Sequence, residues 1–158
     1  MNITVVAVGK QKDPSLLRLT SEYCRRLTPF AHIDILEVRD EPNVHTDRMK
    51  EVLEVKNREA LRALEKIRPS DYVILLDLHG TEWTSEEFSS RLKKWQQKSS
   101  RLVFVIAGSL GPGTALTERA NIRWKLSDLT FTHLMTRVLV LEQIYRGFMI
   151  AAGREYHK

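Results

Sequence analysis

The chain has a single cysteine, Cys24, among its 158 residues. A lone thiol permits no disulfide within the chain, and no Cys/His cluster has the spacing of a zinc site. No apolar run approaches the roughly 18 residues that a membrane span requires. The start, MNITVVAVGK, lacks the basic region, apolar centre and small-residue cleavage site of a secretory signal and reads as a first strand. There is no Walker sequence, and no GxGxxG follows that strand. No internal repeat or linker divides the chain. The expectation is one domain, residues 1–158, in a reducing cytoplasm, without membrane or metal. The formal charge of +5, from 25 Lys and Arg against 20 Asp and Glu, is a small excess. It is compatible with a polyanionic partner without demanding one.

What is present is an alternation of apolar runs and amphipathic segments. Ile3 to Val8 is continuously apolar up to Gly9, as in a strand buried on both faces. Asp13-Pro14 supplies an N-cap followed by proline at the first helical position. The buried face of that helix is predicted as Leu16, Leu19, Tyr23 and Leu27. Ile33 to Val38 reads as a second, more exposed strand, and 39–46 as a polar loop. A charged helix then runs to about Arg68, with a predicted stripe of Met49, Val52, Leu53, Ala60, Leu64 and Ile67.

Tyr72 to Leu76 is the next apolar strand. Thr84-Ser85-Glu86-Glu87 is a capping box that starts a helix carrying Phe88, Leu92 and Trp95 inward. Leu102 to Ile106 is another strand, followed by a short helix from about Thr114 and a short strand around Trp124. The sum is an α/β protein: a mainly parallel sheet flanked by helices, single domain.

The stretch from Leu126 to Tyr145 stands apart. Ser and Thr residues precede a helix on which Leu134, Val138, Leu141, Tyr145 and Phe148 form one apolar stripe. Met135, Leu139, Ile144 and Met149 fall outside it. One stripe suffices for a surface helix, so burial on more than one side is expected, with a second copy of the chain as the second surface.

Ligands of open parallel sheets bind beyond the carboxyl ends of the strands. Three such ends carry unusual residues: Leu76 to Gly80, the small-residue loop Ala107 to Gly113, and Leu126 to Phe131. The neutral character of the second suits a nucleoside better than a bare phosphate.

Together these segments resemble the SPOUT (α/β-knot) methyltransferases, and within them the ribosomal RNA large-subunit methyltransferase H type. The resemblance covers ITVVAVGK, EYCRRL, LLDLHG, VFVIAGSLG, LSDLTFTH, RVLVLEQIYRGF and the ending YHK, which is essentially the whole chain. It implies a trefoil-knotted, cofactor-binding part from about residue 72 to 158, a homodimer, and S-adenosylmethionine held in the knot. It implies methyl transfer to N3 of a pseudouridine in the helix 69 loop of 23S ribosomal RNA, on assembled ribosomes. Carried over by position, the cofactor contacts are Leu76, Ala107, Gly108, Leu126, Ser127, Asp128, Leu129, Thr130 and Phe131.

The chain departs from the family pattern where Ala107 replaces a glycine and where Thr132 replaces a proline. An alanine at 107 requires a negative φ. A threonine at 132 is expected to leave that loop less rigid.

Methylating a ring N3 requires its proton to leave, so cations or proton acceptors are needed near the base. The catalytic candidates are His133, Arg137, Arg154, Tyr156 and His157. Burial of Arg137 demands a partner, for which Glu142 or the second subunit is the expectation. Lys10, Lys12, Arg18, Arg25 and Arg26, with Arg119 and Arg123, are candidate phosphate contacts. The competing readings are a SPOUT enzyme acting on transfer RNA, a catalytically silent ribosome-associated RNA-binding module, and a flavodoxin-like nucleotide binder.

Overall fold

The computed structural model describes residues 1–42 and 48–157. The second half of the polar loop expected at 39–46, and Lys158 of the YHK ending, lie outside the described residues. Among the described residues, five strands and five helices alternate. They are β1 (Asn2–Val8), α1 (Pro14–Leu27), β2 (His32–Val38), α2 (Met49–Leu64), β3 (Tyr72–Glu82), α3 (Ser85–Gln96), β4 (Arg101–Ile106), α4 (Thr114–Arg119), β5 (Ile122–Lys125) and α5 (His133–Ala151). The strands form one sheet in the order β2-β1-β4-β3-β5, and every pairing is parallel.

Alternation of side chains across each strand builds two cores. Ile3, Val5 and Ala7 of β1, Leu102, Phe104 and Ile106 of β4, and Ile74 and Leu76 of β3 face one side with α1, α3 and α5. Val6, Val8, Val103, Val105, Val73 and Leu75 face the other, under α2 and α4. This double burial is why the strands read as unbroken apolar runs.

The caps are those the sequence specifies. Asp13 accepts from the backbone N–H of Ser15 and Leu16 at the start of α1. Thr84 and Glu87 form the reciprocal capping box of α3. An aromatic group clamps β5 to α3, with the Trp124 ring stacked on Phe88 at 4.6 Å and on Trp83 at 6.0 Å.

Three sequence expectations are corrected. On α1, Leu19 is 45% exposed and Leu17 equally so, while Leu27 is buried. On α2 the face against the sheet is Val55, Glu59, Ala60 and Ala63, which leaves Met49 and Leu53 exposed. The later part of the expected stripe holds, with Ala60 buried and Leu64 and Ile67 packed on the core, and its first part fails where Val55 and a carboxylate, Glu59, take the inward positions.

The second surface around α5 is the chain itself. α5 lies between α1 and α3: Tyr145 packs on Tyr23, Phe148 stacks on Phe30 at 5.4 Å, and Ser89 Oγ donates to the Gly147 carbonyl at 2.7 Å. A Cβ at Gly147 would stand 3.2 Å from both Leu92 and Phe88. The two-sided burial of α5 therefore carries no information about a second copy.

Candidate active site

The strand ends β3, β4 and β5 are neighbours in the sheet, so their three loops share one edge. On β3, Leu76 and Thr81 both lie opposite Trp124, and residues 77–80 between them are looped out. A clip holds the loop. Asp77, whose side chain is only 2% exposed, receives Arg123 Nε at 2.7 Å and Nη2 at 2.6 Å, and its other oxygen accepts the His79 N–H. Both guanidinium nitrogens converge on the one oxygen, Oδ2, and charge-assisted bonds of this kind are stronger than neutral ones. Gly80 closes the loop against β5, where a Cβ would meet the Arg123 carbonyl at 2.6 Å. Leu76 itself is buried, and Leu78 is turned to solvent.

The second loop follows β4. The condition on Ala107 is met, because among the described residues no side-chain-bearing residue has a positive φ. Gly108 sits on α2: a Cβ there would lie 2.9 Å from Glu59 Oε1 and 3.3 Å from Val8. Gly111 turns the loop with φ +89°, its N–H donating to the Gly108 carbonyl at 3.0 Å.

The third loop follows β5. Ser127 Oγ accepts the Leu129 N–H at 3.0 Å, and Asp128 pairs with Lys125 at 2.6 Å. Leu126 packs against the core, whereas Leu129 (70% exposed) and Phe131 stand in solvent. Thr132 has a structural role at the end of this loop. It has φ −60°, the value a proline would impose, and its hydroxyl caps α5 by accepting the Met135 N–H. The threonine keeps the backbone geometry and adds a bond that proline lacks.

His133 begins α5 and turns towards β1: a Cβ on Gly9 would lie 3.4 Å from its Nε2, 3.7 Å from Arg137 and 3.8 Å from the Asp40 carboxyl. Burial, reinforced by the Arg137 charge, pushes the His133 imidazolium pKa below its ordinary value, with Asp40 acting in the opposite sense. His133 is therefore neutral at neutral pH, a proton acceptor rather than a cation.

Arg137 does not pair with Glu142. Its Nη1 donates to Glu37 at 2.6 Å, and its Nη2 donates to the Gly9 and Val8 carbonyls at 2.7 and 3.0 Å. The guanidinium thus pins α5 to the ends of β1 and β2. Glu142 is taken instead by Arg146 at 2.6 Å and by the Tyr156 hydroxyl at 3.2 Å.

The tail residues gather at that second place. The Tyr156 ring meets Tyr145 edge-on and lies under Arg146. His157 bridges Glu86 at 2.8 Å and Arg146 at 3.1 Å, and Arg154 covers Phe30. Burial, with Tyr23 and Glu142 adding to it, pushes the Tyr156 hydroxyl up to about 12, so it stays protonated.

The catalytic candidates therefore form two groups, His133 with Arg137 and the tail with Arg146. On one helix, residues 133 and 146 are about 20 Å apart at 1.5 Å per residue. Sequence reasoning missed Asp77 and Glu59, although an acid inside an apolar strand or on the inner face of a helix was a visible signal. The basic groups also change meaning. Arg25 and Arg26 share Glu22, Arg119 donates to the Arg68 and Asp71 carbonyls, and Arg123 serves Asp77. Lys10, Lys12 and Arg18 remain exposed without an acidic partner among the described residues. Also among these, no three His, Cys, Asp or Glu side chains converge as metal ligands, and no helix is long and apolar enough to cross a membrane.

The family model described as "Predicted SPOUT methyltransferase" matches residues 1–157. This chain belongs to that family. SPOUT relatives named ribosomal RNA large subunit methyltransferase H match over full length. The Clostridium tetani protein is 42% identical over 159 residues, covering 100% of both chains. That of Desulforamulus reducens is 40% identical, over 100% of this chain and 99% of its own. A solved structure of similar fold is that of a putative methyltransferase from Legionella pneumophila in complex with bound SAM. It superposes with a TM-score of 0.50 at 9% identity, covering 94% of this chain but 66% of that one, and so speaks to the fold.

Proposed function

We propose that this chain is a methyltransferase that uses S-adenosylmethionine to methylate the RNA of the large ribosomal subunit. What carries the reading is one coincidence. The loops Leu76–Gly80, Ala107–Gly113 and Leu126–Phe131 meet at one sheet edge, in a chain 42% identical throughout to a ribosomal RNA large subunit methyltransferase H. The residues present fit the cofactor. Leu78, Leu129 and Phe131 are exposed apolar side chains on two of these loops, suited to cover a purine and a thioether carbon chain. Backbone groups of Leu76, Ala107, Gly108 and the 126–131 loop would hold the adenine and the amino-acid portion. When bound, the cofactor supplies an electrophilic methyl group.

The chain's own residues position and deprotonate. The finer target is N3 of a pseudouridine in the helix 69 loop of 23S ribosomal RNA, methylated in the assembled ribosome. Neutral His133, whose ring takes no hydrogen bond from the described residues, has a nitrogen to take the N3 proton. Arg137, committed to Glu37 and two carbonyls, acts by fixing His133 and Gly9 and by its field. The tail supplies a phenol that stays protonated and an imidazole, Tyr156 and His157, with Arg154, to hold the splayed base.

The separation of His133 from the tail supports a homodimer in which one subunit's tail serves the other's cofactor loops. Exposed Leu17 and Leu19 on α1 are apolar surface suited to such a contact. The trefoil-knotted C-terminal half from about residue 72 and a cytoplasmic location belong to the same reading.

The test is transfer of labelled methyl from S-adenosylmethionine to ribosomes lacking the modification, with separated subunits and naked RNA alongside. Label on one helix 69 pseudouridine, mainly in assembled ribosomes, is the expected result. Label on transfer RNA alone would overturn the target. Cofactor binding without label on any RNA would overturn the activity.

A further inference from the structure

Glu59 is the one carboxylate on the sheet-facing side of α2, and it is 6% exposed. Burying a carboxylate is costly unless it is paired and hydrogen-bonded. Its Oε2 accepts the Glu41 N–H at 3.0 Å. Its Oε1 takes no hydrogen bond from the described residues and abuts Gly108, 2.9 Å from where a Cβ would stand. The neighbouring acids do not relieve it. Asp40 and Glu41 add negative charge, and Arg62, the nearby cation, is bonded to Glu41 and to the Arg39 carbonyl.

The place is also where the fold opens. β1 and β4 are paired neighbours, Ala7 opposite Ile106, yet the chain leaves β1 towards α1 on one face and β4 towards α4 on the other. Diverging connections leave a crevice at the carboxyl ends of two adjacent parallel strands, the usual seat of a ligand. Gly9 follows the end of β1 and Gly108 follows the end of β4, with Asp40 beside the first and Glu59 beside the second.

We propose that Glu59 Oε1 accepts a hydrogen bond from the α-ammonium of the cofactor's amino-acid portion, with Asp40 adding negative potential. An ammonium is a compact charge with three donors, which suits an open carboxylate oxygen. The sulfonium offers no N–H donor and loses its charge on methyl transfer, so it is the poorer match. The assignment rests on the cofactor reading above and deepens it: Glu59 selects an amino-acid-bearing adenosyl thioether over one without the amine.

Calorimetric titration of the full chain tests it with two ligands, S-adenosylhomocysteine and its analogue in which the amine is replaced by hydrogen. The wild-type chain is expected to prefer the amine by about tenfold, the scale of a charge-assisted bond. In Glu59→Gln, S-adenosylhomocysteine weakens about tenfold, while the deaminated analogue stays within about twofold. Burial pushes the Glu59 carboxyl pKa up, so removing its charge leaves thermal stability at neutral pH undiminished. A residue that merely propped the loop would lose stability and both ligands together. Equal loss of both ligands, or loss of neither, overturns the proposal. If Glu59→Gln does not fold, equal affinity of the wild-type chain for the two ligands overturns it instead. Failure of the folded wild-type chain to bind either compound would sink the cofactor reading itself, a separate outcome.

Discussion

Arg137 and Glu37 stand 100 positions apart in the chain and meet at 2.6 Å. The pair fastens the long C-terminal helix to the first two strands, with the Arg137 side chain only 3% exposed and Glu37 about one-third exposed. Arg137→Met should cost about 3 kcal/mol, the low end for breaking a buried pair, because Glu37 can turn to water. Glu37→Gln retains an acceptor and should cost about 1 kcal/mol. Urea unfolding measures both, and the reverse ranking would show that Glu37 rather than Arg137 bears the buried charge.

The histidine beside that pair should titrate abnormally. Its folded pKa is depressed, so the neutral form is the one the fold favours. The stability this contributes is complete above the ordinary histidine pKa and is lost as pH falls through it towards the folded value. A proton NMR titration of His133 should give a midpoint below about 6.5. Arg137→Met should raise it. A midpoint at or above the ordinary value would remove the proton-acceptor role.

Asp77→Asn cuts the clip on the looped-out segment of β3. The Arg123 charge is partly solvated, whereas the Asp77 site is not. A loss of about 1–3 kcal/mol is expected, together with weaker S-adenosylhomocysteine binding, since Leu76 and its loop are no longer held. Unchanged ligand affinity in a destabilised variant would separate the clip from the cofactor site.

Gly80→Ala should be worse than Asp77→Asn. The new methyl would overlap the Arg123 carbonyl and come 2.8 Å from the Trp124 nitrogen, both of them backbone atoms. The obstruction is the β5 backbone itself, so no side chain can step aside, and overpacking of this kind costs about 1–3 kcal/mol or more. Equal or greater stability in thermal melts would mean that β3 and β5 separate more easily than their packing indicates.

His133→Ala and Tyr156→Phe should each abolish or greatly reduce methyl transfer alone. Co-refolded as a mixture, they should recover part of it, because a mixed dimer has one site with both residues intact. No recovery, with dimers present, would place His133 and the tail in the same subunit's site.

Much of this was legible. Doubly buried parallel strands betray themselves as apolar runs, as Ile3–Val8 and Leu102–Ile106 do, and the caps at Asp13 and Thr84 are local chemistry. The loops at 107 and 126 follow β4 and β5 as the strand assignments imply, whereas 77–80 is looped out within β3, which runs on to Glu82 instead of ending at Leu76. What escaped was pairing across the chain. Nothing local says that Arg137 belongs to Glu37 rather than to Glu142, one turn or so along the same helix. The first part of the α2 stripe was misplaced because a buried glutamate looks polar in the sequence, while Ala60, Leu64 and Ile67 do face the core. The burial of α5 was assigned to a second copy because α1 and α3, which flank it, are distant in sequence.

The strand order also bears on how the chain is made. β1 finds its inner neighbour only when β4 arrives, with Asn2 aligned to Arg101. Until then β1 and β2 form a pair with one edge bare, and β3 has no place to dock. Pairing across such separations carries the full entropy of closing the intervening loop before it is rewarded. During synthesis about two-thirds of the polypeptide must therefore emerge before the centre of the sheet can close. A chain arrested before Ile106 should stay open to protease and chaperone, whatever helices it has already formed.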